Sequence, residues 1–168
     1  FAVVGVFEKG KADVKFTAKS TGGHASAPTK GTPIARLAAF VDETEKHSPF
    51  RKKMLPEVAA MFTTLSDYAS FGLRLFMGNL WLFAPLLKAI SAQGAAMLKT
   101  TIAFTMQSGS DAYNVIPQEA TLGANMRFIP HQGEKESLEL IRRRAEKHGL
   151  SMEIIHSNDF TPPVDING

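Results

Sequence analysis

Glu119-Ala120-Thr121-Leu122-Gly123-Ala124-Asn125-Met126-Arg127-Phe128 is the stretch that decides the fold. Ala120, Leu122, Ala124, Met126 and Phe128 share one parity, and Thr121, Asn125 and Arg127 share the other. A period of two marks a strand with one buried face. Such a strand belongs to an antiparallel or mixed sheet covered on one side, because a strand buried on both faces reads as a continuous apolar run. Asn125 and Arg127 are therefore expected on the uncovered face.

The alternation recurs on both sides of this stretch. From Lys11 to Lys19, the apolar Ala12, Val14, Phe16 and Ala18 alternate with Lys11, Asp13, Lys15, Thr17 and Lys19. In Thr101 to Gln107, Ile102, Phe104 and Met106 are expected inward. Ser151 to Ser157 is a weaker strand, with Met152 and Ile154 on one face and Ile155 spoiling the alternation. A helix is expected to begin at Thr32 as cap, with Pro33 in its first turn, a stripe of Ile34, Leu37, Ala38 and Val41, and an end near Ser48-Pro49. A second helix runs from about Glu134 to His148, acidic at its start, with Leu138, Ile141 and Ala145 in a stripe and Gly149 to terminate it. Arg142, Arg143 and Arg144 fall near its negative end, where complementation of the helix dipole on a solvated face accounts for them.

The order strand, helix, strand, strand, helix, strand is that of a ferredoxin-like two-layer sandwich. The expected class is α+β: a four-stranded antiparallel sheet with two helices on one face. This architecture hosts many functions and assigns none. A helical insertion at about residues 50–99 interrupts it, within a single domain spanning 1–168. Arg74, Asn79, Pro85 and Lys88 break the insertion's apolar runs, so it reads as helices packed on protein rather than the about 20 apolar residues of a membrane span.

With 168 residues, 44% of them hydrophobic, the chain can bury a core. It has no cysteine, which excludes disulfides, thiolate zinc sites and a cysteine nucleophile and fits a cytoplasmic protein. The formal charge of +3 arises from 19 basic and 16 acidic residues that are interspersed, so no electrostatic footprint for nucleic acid is present. Phe1 to Phe7 is apolar but too short and lacks the basic start of a signal peptide. Thr161 to Gly168, with Pro162-Pro163, reads as a linker, and the chain as a domain excised from a longer enzyme.

Two constellations could carry chemistry. His24 lies in Thr21-Gly22-Gly23-His24-Ala25-Ser26-Ala27-Pro28, where glycines let the backbone turn and proline stiffens it. An imidazole so displayed can donate to a developing oxyanion or exchange protons near neutral pH. His47, His131, His148 and His156 are scattered, with no His-x-x-x-His or His-x-Asp spacing, so no metal site is expected within the chain. A turn hydrogen bond or helix cap is the expected work of Ser26, since no acidic residue is evident to orient a nucleophile and base. The second constellation is Asn114-Val115-Ile116-Pro117 followed by Arg127. A guanidinium fork with an amide donor can hold a substrate carboxylate. The same residues also read as a turn asparagine and a solvent-facing strand arginine.

Glu8-Lys9-Gly10, the strand after it, Gly22-Gly23-His24-Ala25-Ser26-Ala27-Pro28, and Asn114-Val115-Ile116-Pro117 through Arg127 resemble the lid, or dimerisation, domain of the dinuclear-zinc aminoacylase and carboxypeptidase G metallopeptidase family. The likeness covers nearly the whole chain. Its middle segment and Leu98-Lys99-Thr100-Thr101 are similar to the subgroup of carboxypeptidase S and N-acyl-amino-acid hydrolases. The resemblance implies that the lid is inserted into a catalytic domain holding two zinc ions and a glutamate base, nothing of which matches this chain. It also implies a homodimer in which His24 reaches into the partner subunit's active site to stabilise an oxyanion. Asn114 and Arg127 would bind a small peptide or N-acyl amino acid, Arg127 on its free carboxylate, with the loop around Gly109 close by. Family members often carry two glycines before the asparagine, whereas this chain has Gly109-Ser110.

The expected function is thus that of a dimerisation and substrate-binding lid of a zinc-dependent amidohydrolase, inactive as an isolated chain. Two other classes compete. One is a non-catalytic ferredoxin-like module binding a small ligand or RNA, against which stands a polar face of Thr, Lys, Asn and Arg where RNA-binding sheets expose aromatics. The other is a purely structural dimerisation piece.

Overall fold

The computed structural model describes residues 8–79, 82 and 96–162. Phe1 to Phe7, most of the apolar run at 80–87 and residues 163–168 of the expected linker lie outside them. Four long strands, β1 (Gly10–Lys19), β3 (Thr101–Ser108), β5 (Glu119–Phe128) and β6 (Ser151–Asn158), form an antiparallel sheet in the order β3-β5-β1-β6. Two short strands, β2 (Gly23–His24) and β4 (Val115–Ile116), pair separately. The helices are α1 (Pro33–Lys46), α2 (Pro56–Ser66), α3 (Phe71–Gly78) and α4 (Glu134–Lys147). Helix α1 packs on β1 and β5, and α4 packs on β1 and β6, which is the ferredoxin-like arrangement.

The core lies between the sheet and these two helices. Ala12, Val14 and Phe16 of β1, Met126 and Phe128 of β5, and Ile141 of α4 are all buried there. Phe40 of α1 anchors it, its ring 4.7 Å from Phe16 and 5.6 Å from Phe104. The buried face of α1 is therefore Pro33, Leu37, Phe40 and Thr44, and the expected stripe is corrected: Ile34 is 42% exposed and Ala38 is exposed. Both sets obey helical spacing, and the sheet selects the one that contains the large aromatic ring.

Two bulges explain where strict alternation fails. Phe104 pairs with Ala124 and Met106 with Gly123, so Thr105 is an extra residue on β3 and the parity flips beyond it. Met106, expected inward, is 73% exposed and lies beside Gly123 on the open face. On β6, Asp13 pairs with His156 and Val14 with Ile154, so Ile155 is the inserted residue. The residue that spoiled the pattern is the bulge itself.

Within the insertion lie α2 and α3, whose Phe62 and Phe76 pack with Met54 against Leu98. Its two ends are tied to the sandwich by Gln132. The Gln132 Oε1 accepts from the Arg51 amide at 3.0 Å, and the Gln132 backbone oxygen accepts from Ser137 Oγ at 2.6 Å and Thr100 Oγ1 at 3.4 Å. Arg144 is also corrected. Its side chain is only 15% exposed, ion-pairs with Glu43 at 3.4 Å and donates to the His47 carbonyl, so it clamps the end of α1 rather than facing solvent.

Candidate functional site

The site is built where β1 and β5 run past the end of the sheet. Lys19 pairs with Glu119, and the ladder continues: Ser20 N donates to Gln118 O at 2.8 Å, Gly23 pairs with Ile116 and His24 with Val115, and Ala25 N donates to Asn114 O at 2.9 Å. Two loops far apart in sequence are zipped together. Gly22 makes this possible with φ +69°, and a Cβ there would stand 2.7 Å from Gln118 Cγ and 3.1 Å from Ile116 O. Arg36 of α1 braces the base of the ribbon, donating to the Lys19 carbonyl and, at 2.7 Å, to the Gly149 carbonyl.

At the tip of the ribbon His24 is exposed. Its Nδ1 is 2.7 Å from Ser26 Oγ and accepts from the Ser26 amide at 3.2 Å, so the turn hydrogen bond expected of Ser26 is made to the histidine ring. Asn114 is exposed beside it, and its carboxamide has no hydrogen-bond partner among the described residues. Tyr113, next to Asn114, is fully exposed. Sequence reasoning passed over it because one tyrosine in a polar loop carries no pattern. Gly109 packs toward α1, where a Cβ would meet Ile34 Cδ1 at 3.1 Å.

Arg127 is elsewhere. It lies on the open face opposite Lys11 and Thr101, eight residues along β5 from Glu119, or about 26 Å at the rise of a strand. The structure thus brings His24 and Asn114 together and keeps Arg127 apart from both. Arg127 Nε donates to Asn125 Oδ1 at 3.0 Å, while Asn125 Nδ2 donates to Asp13 Oδ1 at 2.7 Å, so the amide stands between the two charges. Among the described residues Arg127 forms no ion pair. Lys9 lies near it and donates to the Ala96 carbonyl at 2.6 Å. Burial first, and the charge of Arg127 second, hold the Lys9 ammonium below the usual lysine range. Two cations close together favour an anion at this end of the sheet.

The described residues do not fit a metal. Among the described residues no group of three or more His, Asp or Glu could hold one, and the His24 nitrogen nearest other groups is occupied by Ser26.

A model of the peptidase dimerisation domain matches residues 6–153. The chain belongs to that family. Among curated relatives, the dimerisation domain is 33% identical over 170 residues to an N-fatty-acyl-amino acid synthase/hydrolase of Xenopus tropicalis, covering 96% of this chain and 32% of that protein. It is 32% identical over 145 residues to a carboxypeptidase S-like protein of Dictyostelium discoideum, covering 84% of this chain and 28% of that one. The chain therefore spans a minor part of the length of these relatives. Among solved structures, human carnosine dipeptidase 1 superposes with a TM-score of 0.56 at 10% identity, over 95% of this chain and 39% of that one. That likeness shows the fold. No helix among the described residues is long and apolar enough to cross a membrane.

Proposed function

We infer that this domain is the dimerisation and substrate-binding lid of a zinc-dependent hydrolase that cleaves an amide bond next to a free carboxylate. The carrying observation is the β2–β4 pairing, which holds His24 and Asn114 as one exposed unit remote from Arg127. In this reading one chain serves two active sites of a homodimer. His24, with Asn114 beside it, reaches the partner subunit's substrate and donates to the oxyanion as the carbonyl is attacked, while Arg127 holds the carboxylate of a substrate in its own subunit. Gly109 shapes the loop that leads to Asn114. The two zinc ions belong to a catalytic domain outside this chain and would supply the activated water. The residues described here bind and orient substrate and meet developing charge.

The names of the relatives favour an N-acyl amino acid whose acyl group is apolar. Exposed Phe71, Leu73 and Leu75 on α3 agree with an apolar acyl group. Neither the RNA-binding alternative nor a purely structural dimer has a comparable observation behind it.

In the full-length enzyme, His24→Ala is expected to lower kcat by about 10²–10³, the usual cost of one oxyanion donor. Mixed dimers of His24→Ala with a variant inactivated in the catalytic domain test the shared site. Recovered turnover in the heterodimer is expected, and its absence would refute the exchange of His24 between subunits. Arg127→Ala is expected to raise KM for substrates bearing the carboxylate and to spare analogues whose carboxylate is amidated. An equal loss on both would remove Arg127 from the carboxylate.

A further inference from the structure

We propose that Ser26 is a positioning residue that fixes the tautomer of His24, leaving Nδ1 bare and the proton on Nε2, so that the exposed edge of the ring is a hydrogen-bond donor. A backbone amide can only donate, and the Ser26 N–H is aimed at His24 Nδ1 at 3.2 Å. A ring nitrogen that accepts does not carry the proton, so in the neutral ring the proton resides on Nε2. The Ser26 hydroxyl, 2.7 Å from the same nitrogen, is a second donor to it in that tautomer. With the proton on Nδ1 instead, its hydrogen would face the hydrogen of the amide. Ser26 is the only described residue that hydrogen-bonds the His24 ring, so Nε2 is offered outward.

This assignment separates three chemistries open to an exposed imidazole. An oxyanion donor needs an N–H on the outward nitrogen, and that is what Ser26 leaves there. A general base or a metal ligand needs a lone pair on that nitrogen, and the tautomer withholds it. The glycines that display the ring and the serine that orients it lie within one turn, where Ala27 N donates back to His24 O at 3.1 Å. The link to turnover rests on the proposed role of His24; the tautomer is a property of this chain alone.

The experiment therefore has two readouts. In the ¹⁵N-labelled chain, at a pH where the ring is neutral, the nitrogen shifts of His24 are expected to show Nε2 protonated and Nδ1 bare. Ser26→Ala, which removes the hydroxyl and keeps the amide donor, is expected to lower the Nε2–H share in part, and Ser26→Thr to preserve it. A His24 ring protonated on Nδ1 in the unaltered chain overturns the proposal, and a spectrum that Ser26→Ala leaves unchanged overturns the part given to the hydroxyl. In the full-length enzyme, Ser26→Ala is expected to lower kcat about three- to tenfold at constant KM, the size of one neutral hydrogen bond, with Ser26→Thr restoring it. If the spectrum shifts as expected and turnover does not, the tautomer is upheld and the link from Ser26 to turnover falls, while the role of His24 itself is read from His24→Ala.

Discussion

At the scale of single residues, Gly22 does most to shape the site, and it does so by what it lacks. Its positive φ and the 2.7 Å approach of Gln118 leave no room for a side chain. Gly22→Ala is expected to cost about 1–3 kcal/mol through backbone strain alone, measured by denaturant unfolding. An unchanged midpoint would mean that the loop relaxes freely and that the geometry around His24 is not held by its glycine. Part of this scale is legible in the sequence. Glycines before a histidine and proline after it announce a displayed side chain, since each restricts or frees the backbone in a known way. Phe40 is not legible as the core anchor, because Ile34-Leu37-Ala38-Val41 satisfies helical spacing as well as the buried set does. Spacing defines candidate faces, and only the partner surface chooses between them.

At the scale of elements, α1 and α4 are joined at their C-terminal ends by Glu43, which ion-pairs with Arg144 at 3.4 Å and lies 2.6 Å from His148 Nε2. The hydrogen bond from His148, and then the charges of Arg144, His148 and Lys147, hold the Glu43 carboxyl below its ordinary value of 4.5 against an opposing effect of burial. A carboxyl that is more acidic when folded stabilises the fold above its unfolded pKa, and that stability is lost as pH falls through the folded value. Unfolding measured across the acid range is expected to show a shallower loss of stability in Glu43→Gln than in the unaltered chain below about pH 4.5. Parallel curves would show that the clamp contributes nothing. Such a clamp is invisible in sequence, where Glu43 and Arg144 are two charges on two amphipathic helices. The long strands are visible, because burying one face imposes a period of two. Their bulges are visible only as damage to that period at Ile155, and not at all at Thr105, where the flip sends Met106 to the open face. The two-residue strands that bring His24 to Asn114 are too short to leave any period.

At the scale of the whole molecule, Gln132 joins the insertion to the sandwich. It is 1% exposed, its side chain takes the Arg51 amide and reaches Glu136, and its carbonyl takes Thr100 and Ser137. Gln132→Ala leaves the Arg51 amide without its acceptor, at a cost of about 1–3 kcal/mol. Faster proteolysis is expected within residues 50–100, with amide exchange in β1 and β5 unaltered. Equal protection of the insertion in both proteins would mean that its helices are held by the Leu98 cluster instead. The ribbon that carries β2 and β4 bears in turn on descent and recombination. A side chain at position 22 would need position 118 to give way, so the two loops are expected to vary as a linked pair. A chimera taking one loop from one relative and the other from a second is expected to fold less stably wherever the two differ at these positions.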